Sequence, residues 1–261
     1  MLFYITNCSK VENKKPFTLT LLQIRSKKSM KIIIADLKHF LSDALFLIKF
    51  PVNLKTNWNL RTLLISVLIV IMYVSVSLAD QTAREFFSKF HIHFFDFLFN
   101  VGHLYGKLYL TAILFVSLYS AGFVLKNEKI RKNGFRIFET FIFAGIIVTI
   151  FKSLFGRWRP YTNHGNFAFD FLNFGSNNHL SLPSGDVAVA FAFTIVVANF
   201  FQNKIWKVFW YLLAVLTAFG RIYHDQHWLS DVILGAVLST IIGIIINKKS
   251  KEEVVIINKL S

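Results

Sequence analysis

Val232-Ile-Leu-Gly-Ala-Val-Leu-Ser-Thr-Ile-Ile-Gly-Ile-Ile-Ile246 is a run of fifteen uncharged residues, closed by Asn247 and the pair Lys248-Lys249. Alone, such a run fits a buried core helix as well as a membrane span, since about 20 apolar residues cross a bilayer. The run is not alone. Thr62–Ala79, Leu108–Leu125, Ile137–Phe151 and Val187–Phe201 repeat the pattern, and Val208–Phe219 joins them once Ile205, Trp206 and Gly220 are included. The charged residue that falls inside these runs is Glu139, near one end of its own. Six runs of this kind in one chain favour an all-α, polytopic membrane protein: six transmembrane helices, four to six of which form a bundle.

Composition agrees. Of 261 residues, 54% are hydrophobic and 16% charged, against about 45–50% and 25% in soluble domains. The mean hydropathy is +0.52. A water-soluble globule, a disordered chain and a coiled coil are poor fits. The single cysteine, Cys8, excludes an intrachain disulfide. The net charge of +15 would suit nucleic acid, but its placement says otherwise. Of the 29 Lys and Arg, eleven precede the first run, five lie in 126–136, two are Lys204 and Lys207, and four are in the tail. These positions share one side of the membrane, which makes both termini cytoplasmic. Most of the positive charge is therefore a topology signal and an attraction to anionic lipid heads, and no nucleic-acid partner is expected.

The expected organisation is a cytoplasmic N-terminal extension over 1–61, a six-helix membrane domain over 62–247 and a basic tail over 248–261. Residues 1–9 lack the features of a signal peptide. Met30–Phe50 alternates apolar clusters with Asp36, Lys38, Asp43 and Lys49, as in a helix lying along the membrane interface. Pro51 is expected to end it.

Seven cations remain for the outward side: Arg84, Lys89, Lys107, Lys152, Arg157, Arg159 and Arg221. Four of them sit at or just beyond the outer ends of apolar runs. Snorkelling to lipid phosphates is the bland explanation. Their neighbours point to an anion site instead. The loop 152–186 opens with Lys152 and Arg157-Trp-Arg159-Pro160 and closes with Pro183-Ser184-Gly185-Asp186, just before an apolar helix. Lys supplies a point charge and Arg a planar fork for phosphate oxygens. A helix start adds free backbone N–H groups and the positive dipole end, Gly185 permits close approach, and Ser184 adds a hydroxyl. The last outward loop holds Arg221, His224, His227 and Asp231. His227 and Asp231 are four apart and share a helix face, so a carboxylate could fix the ring and leave one nitrogen free as a nucleophile. An isolated His/Asp pair is more often a satisfied polar pair. Beside Arg221, Lys152, Arg159 and a phosphate-ready helix start, catalysis is the better reading. His91 and His93 have ligand-like spacing but are expected to decorate a polar loop.

These segments resemble the phosphatidic acid phosphatase type 2 superfamily over roughly residues 60–246. Lys152 to Arg159-Pro160 matches its first pattern. Pro183-Ser184-Gly185-Asp186 matches its second, Pro-Ser-Gly-His, except at the last residue. Arg221, His227 and Asp231 match its third, with Gly220 where Ser often stands. The resemblance implies that His227 attacks phosphorus to form a phosphohistidine, that Asp231 orients it, and that Lys152, Arg159, Ser184, Gly185 and Arg221 hold the phosphoryl oxygens. It implies no metal and no cofactor. Asp186 stands where the family has its proton-donating His. A carboxyl near its ordinary pKa of about 3.9 is ionised at neutral pH, so Asp186 must be raised, or another acid must serve (His179 or His224), or the leaving group must need little help, as in a diphosphate. Arg157, His179 and His224 are auxiliary candidates.

The resulting expectation is a multi-pass phosphatase of the bacterial inner membrane with its site facing the periplasm. It would act on a membrane lipid: undecaprenyl diphosphate, lipid A, phosphatidylglycerophosphate or phosphatidate. The alternatives are lipid-to-lipid phosphotransfer at the same site, and non-catalytic binding or transport of anionic lipid.

Overall fold

A computed structural model describes the backbone of residues 17–53, 70, 73–74, 76–89, 92–173 and 175–260, and the side chains of 29–47 and of the same later segments as far as 247. Most of the first apolar run, Thr62–Ala79, and the side chains of the basic tail lie outside the described residues. The chain divides into two compact units, Met1–Lys49 and Phe50–Ser261.

Helix α1, Phe17–Asn53, starts earlier than the sequence suggests and ends two residues beyond Pro51. A proline in the last turn forfeits one backbone hydrogen bond instead of splitting a ladder with helix on both sides. Met30, Ile33, Ile34, Leu37, Leu41 and Leu45 are all exposed. Their spacing of three and four puts them on one face.

The described residues of the second unit are mainly helical. Among the described residues extended pairing is confined to an isolated bridge between Arg157 and Phe169. Its helices are α2 (Asp80–Ser88), α3 (His93–Tyr105), α4 (Leu108–Val124), α5 (Glu128–Phe155), α6 (Gly185–Val197), α7 (Lys204–Tyr223) and α8 (Leu229–Leu260). Caps explain two of the starts. The Asn127 side chain accepts from the Ile130 amide at the head of α5, and Asn203 accepts from Ile205 at the head of α7. Helix α6 is the central element, packed by α5, α7 and α8. It is apolar on every side, and Val187, Ala190, Ala192, Phe193, Val196 and Val197 are all buried. Tyr105 reaches into this core and meets the Thr194 hydroxyl at 2.6 Å.

Among the described residues α5, α7 and Leu229–Asn247 of α8 are long and apolar enough to cross a membrane; α3 and α4 pass the same test only as a pair, bent by 51°, as in a broken span or a re-entrant segment. The expected count of six is thus not reproduced. The run at 187–201 forms a helix too short for that test, and the run at 62–79 is largely undescribed. Of the two histidines expected on a polar loop, His91 lies outside the described residues and His93 is corrected: it is exposed at the first position of helix α3. Helix α3 packs along α7, and Gly102 is what lets them touch. A Cβ there would stand 2.5 Å from the Leu216 carbonyl carbon. The Gly102 carbonyl instead accepts from Thr217 Oγ1 at 2.6 Å. Close contact through a small residue is the usual way membrane helices gain packing.

Candidate active site

The loop between α5 and α6 hangs from Gly156, which ends α5 in the left-handed conformation at φ 54°. A side chain there would collide with the Asp170 carbonyl, 1.7 Å from the Cβ position, so glycine is required on both counts. The next residue, Arg157, is fully buried. Its Nε donates to the Asn166 carbonyl at 2.9 Å and Nη2 reaches the same oxygen. Nη1 meets Ser230 Oγ at 2.7 Å and Asp231 Oδ1 at 2.6 Å, and Nη2 meets Asp80 Oδ2 at 2.7 Å. All five of its donors are engaged. Arg157 therefore has nothing left for a phosphate, and serves as the cation that holds Asp80 and Asp231.

Asp231 occupies the first turn of α8 and accepts from the Trp228 amide at 2.9 Å, which caps that helix. Its Oδ2 also accepts from Ser181 Oγ. The expected hydrogen bond from His227 to Asp231 is replaced. His227 Nδ1 is 2.8 Å from the Ser181 carbonyl and 3.8 Å from Asp231 Oδ2. A carbonyl only accepts, so Nδ1 carries the proton and Nε2 keeps its lone pair. Nε2 has no hydrogen-bond partner among the described residues. Burial, together with the charges of Lys152, Arg221 and Arg159, pushes the His227 ring down to about 3, against the pull of Asp231. The ring is neutral at ordinary pH.

Short links draw the remaining positions around this ring. Lys152 Nζ donates to the Leu180 carbonyl, one residue from Ser181. Arg159 is held by Asn177, through its carbonyl at 3.0 Å and its Oδ1 at 2.9 Å, and by Gln226 Oε1 at 3.1 Å. Gln226 directly precedes His227, whose own amide donates to the Arg221 carbonyl at 3.3 Å. The Ser184 amide donates to the Asp231 carbonyl at 2.9 Å, and Gly235 of α8 leaves room for that approach. Ser184 sits at the N-cap of α6 yet does not cap it. Its hydroxyl is buried without a partner, so both it and the first-turn amides of α6, starting at Gly185, remain open to an anion.

Two auxiliary candidates lie elsewhere. His179 is wedged against Trp158, with ring centroids 3.8 Å apart, and its Nδ1 is 3.6 Å from Asp170. His224 caps α7 and presents its ring to His103 at 6.1 Å. His103 itself, Asp80, Ser181 and Gln226 were not singled out by the sequence. Asp186 pairs with Arg221 at 3.1 Å and lies 3.7 Å from His103. Among the described residues no group of three His, Cys, Asp or Glu is placed to hold a metal ion.

A buried neutral imidazole among three cations, carried by helices long and apolar enough to cross a membrane, is an arrangement suited to a phosphoryl group. Residues 133–253 match the family model described as PAP2 superfamily. Lipid A 1-phosphatase of Porphyromonas gingivalis is 34% identical over 83 residues, 31% of this chain and 19% of that protein, so the match spans about a fifth of the relative's length. The crystal structure of Aquifex aeolicus LpxE is similar with a TM-score of 0.51 and 25% identity, covering 65% of this chain and 94% of that one. A transmembrane PAP2 type phosphatidylglycerolphosphate phosphatase from Bacillus subtilis shares the fold, with a TM-score of 0.57 at 18% identity, over 71% of this chain and 96% of that one. Residues 133–253 thus carry the PAP2 superfamily match, and the fold is similar to those of multi-pass PAP2 membrane proteins.

Proposed function

We propose that this protein hydrolyses a terminal phosphate from a membrane lipid phosphate or diphosphate through a phosphohistidine on His227. The observation that carries the reading is the tautomer. With Nδ1–H given to the Ser181 carbonyl, Nε2 is a neutral nucleophile at any pH the cell meets. Lys152, Arg159 and Arg221 act on the same ring and would hold the phosphoryl oxygens. The Ser184 hydroxyl and the Gly185 amide complete the cradle and offset charge gained in the transition state. Asp231 acts through the web it shares with Ser181 and Trp228, and no metal ion takes part.

Phosphatidate, lipid A, phosphatidylglycerophosphate and undecaprenyl diphosphate are the substrates to try. The relatives' names supply lipid A and the glycerophosphate. The protein sits in the bacterial inner membrane, with both termini in the cytoplasm, the site facing the periplasm and α1 along the interface. The skewed placement of Lys and Arg supports that orientation. Purified protein should release phosphate from at least one of the four lipids, and His227→Ala should lower the rate by about 10³-fold or more. Rapid quench with a labelled lipid should leave the label on His227. A His227→Ala protein as active as the parent on all four lipids would refute the reading.

A further inference from the structure

Position 186 holds Asp where the pattern Pro-Ser-Gly-His has its histidine, and an element outside the three motifs borders it. The α3–α4 break brings Gly106 against Asp186, where a Cβ would stand 2.9 Å from the Asp186 carbonyl oxygen. His103, one turn earlier on α3, faces the same aspartate. Its Nδ1 is 3.7 Å from Asp186 Oδ2 and accepts from Arg221 Nη1 at 3.0 Å. A guanidinium only donates, so the neutral ring carries its proton on Nε2. Lys107 and His224 are the other titratable groups that act on the ring. The side chains of His103 and Asp186 are 29% and 28% exposed, open enough to meet a substrate. That of His179 is 10% exposed and faces Trp158 and Asp170.

We propose that His103 donates the proton to the departing lipid oxygen, with Asp186 as the carboxylate that positions it. This rests on the phosphohistidine reading above. Thr217, the partner of Gly102, lies one turn nearer the middle of α7 than Arg221. His103 therefore stands on the side of Arg221 that faces the middle of the span, where the body of a lipid substrate lies. A bound phosphate draws Arg221 away from Nδ1. Nδ1 then takes a proton from solvent and pairs with Asp186, which makes His103 an imidazolium. As His227 Nε2 bonds to phosphorus, the P–O bond breaks, its electron pair stays on the lipid oxygen, and His103 Nε2 supplies the proton. In the second step water attacks phosphorus and gives its proton to His103 Nε2. The P–N electron pair returns to His227, and inorganic phosphate leaves.

The test compares leaving groups on the full chain in detergent micelles. Octyl phosphate must expel an alkoxide, which needs a proton; p-nitrophenyl phosphate expels a phenolate, which does not. His103→Gln should lose about 10²-fold or more on octyl phosphate, and less than about tenfold on p-nitrophenyl phosphate. Asp186→Asn should show the same bias to a smaller degree, which a merely structural role would not produce. Equal losses of His103→Gln on both substrates, or an undiminished rate on octyl phosphate, would overturn the proposal. A bias confined to Asp186→Asn would also overturn it and make Asp186 the donor. His227→Ala separates the two questions: if it still turns over p-nitrophenyl phosphate at the parent rate, the phosphohistidine reading itself fails.

Discussion

Replacing Arg157 by methionine tests the buried charge network that holds Asp231. The substitution roughly keeps side-chain volume but deletes five hydrogen bonds and the cation between two fully buried carboxylates. Removing one partner of a buried ion pair costs about 3–5 kcal/mol, mostly from the stranded charge. Here the carboxylates keep other donors. Asp80 still accepts from the Ser230 amide at 2.8 Å and Ser230 Oγ at 2.7 Å, and Asp231 from Ser181 and the Trp228 amide. The lower end, about 3 kcal/mol, is the expected cost. At about 2–4 °C per kcal/mol for a unit of this size, the melting temperature should fall by about 6–12 °C. Tryptophan fluorescence during a thermal ramp in detergent reads this directly. Adding Asp80→Asn to Arg157→Met removes one unpaired charge and should recover part of the loss, a coupling of about 1–3 kcal/mol. A melt for Arg157→Met within about 2 °C of the parent would refute the reasoning. So would strictly additive losses in the double variant.

The Ser184 hydroxyl has no partner to lose, so Ser184→Ala should leave the melting temperature within about 1 °C of the parent. The same change should lower kcat/KM for lipid phosphate by about tenfold or more, the worth of a hydrogen bond to a charged group. For His227 the folded ring has its pKa pushed down to about 3, below the unfolded value near 6.5, so the fold favours the neutral form. Its contribution is full above about pH 6.5 and declines by about 1.4 kcal/mol per unit as pH falls towards 3. Melting temperatures taken from pH 7 to pH 4 should therefore drop more steeply for the parent than for His227→Gln. Gly156→Ala should cost more than the roughly 1–3 kcal/mol of a left-handed non-glycine residue, given the collision with Asp170. Size-exclusion profiles of the purified protein should show little folded material.

Much of the site was legible because its chemistry sits in residue types at short spacings: Lys152 with Arg159, Ser184 with Gly185, Arg221 with His227 and Asp231. What escaped falls into two kinds. The group that accepts the hydrogen bond from His227 Nδ1 is the main-chain carbonyl of Ser181, and a carbonyl carries no mark in a residue name. The other kind is long-range pairing. Asp80 and Arg157 are 77 residues apart, and His103 and Arg221 are 118 apart. His103 lies in a thirteen-residue helix interrupted by Asp96, Asn100 and Gly102. That composition gives no apolar run to mark a span, and Asp96 is accommodated by a bond from the Tyr223 hydroxyl. Pro51 misled in the opposite direction, since periodicity near a helix end outweighs a single lost bond.

The touch between Gly102 and α7 has an evolutionary corollary. Main-chain atoms meet there, so the spacing of α3 and α7 is set by backbone packing and no change of rotamer can relieve it. A lineage that enlarges residue 102 must shrink or shift its neighbours on α7 in step. Positions 102, 216 and 217 should therefore drift together among descendants of this chain, while the lipid-facing side of α7 changes freely.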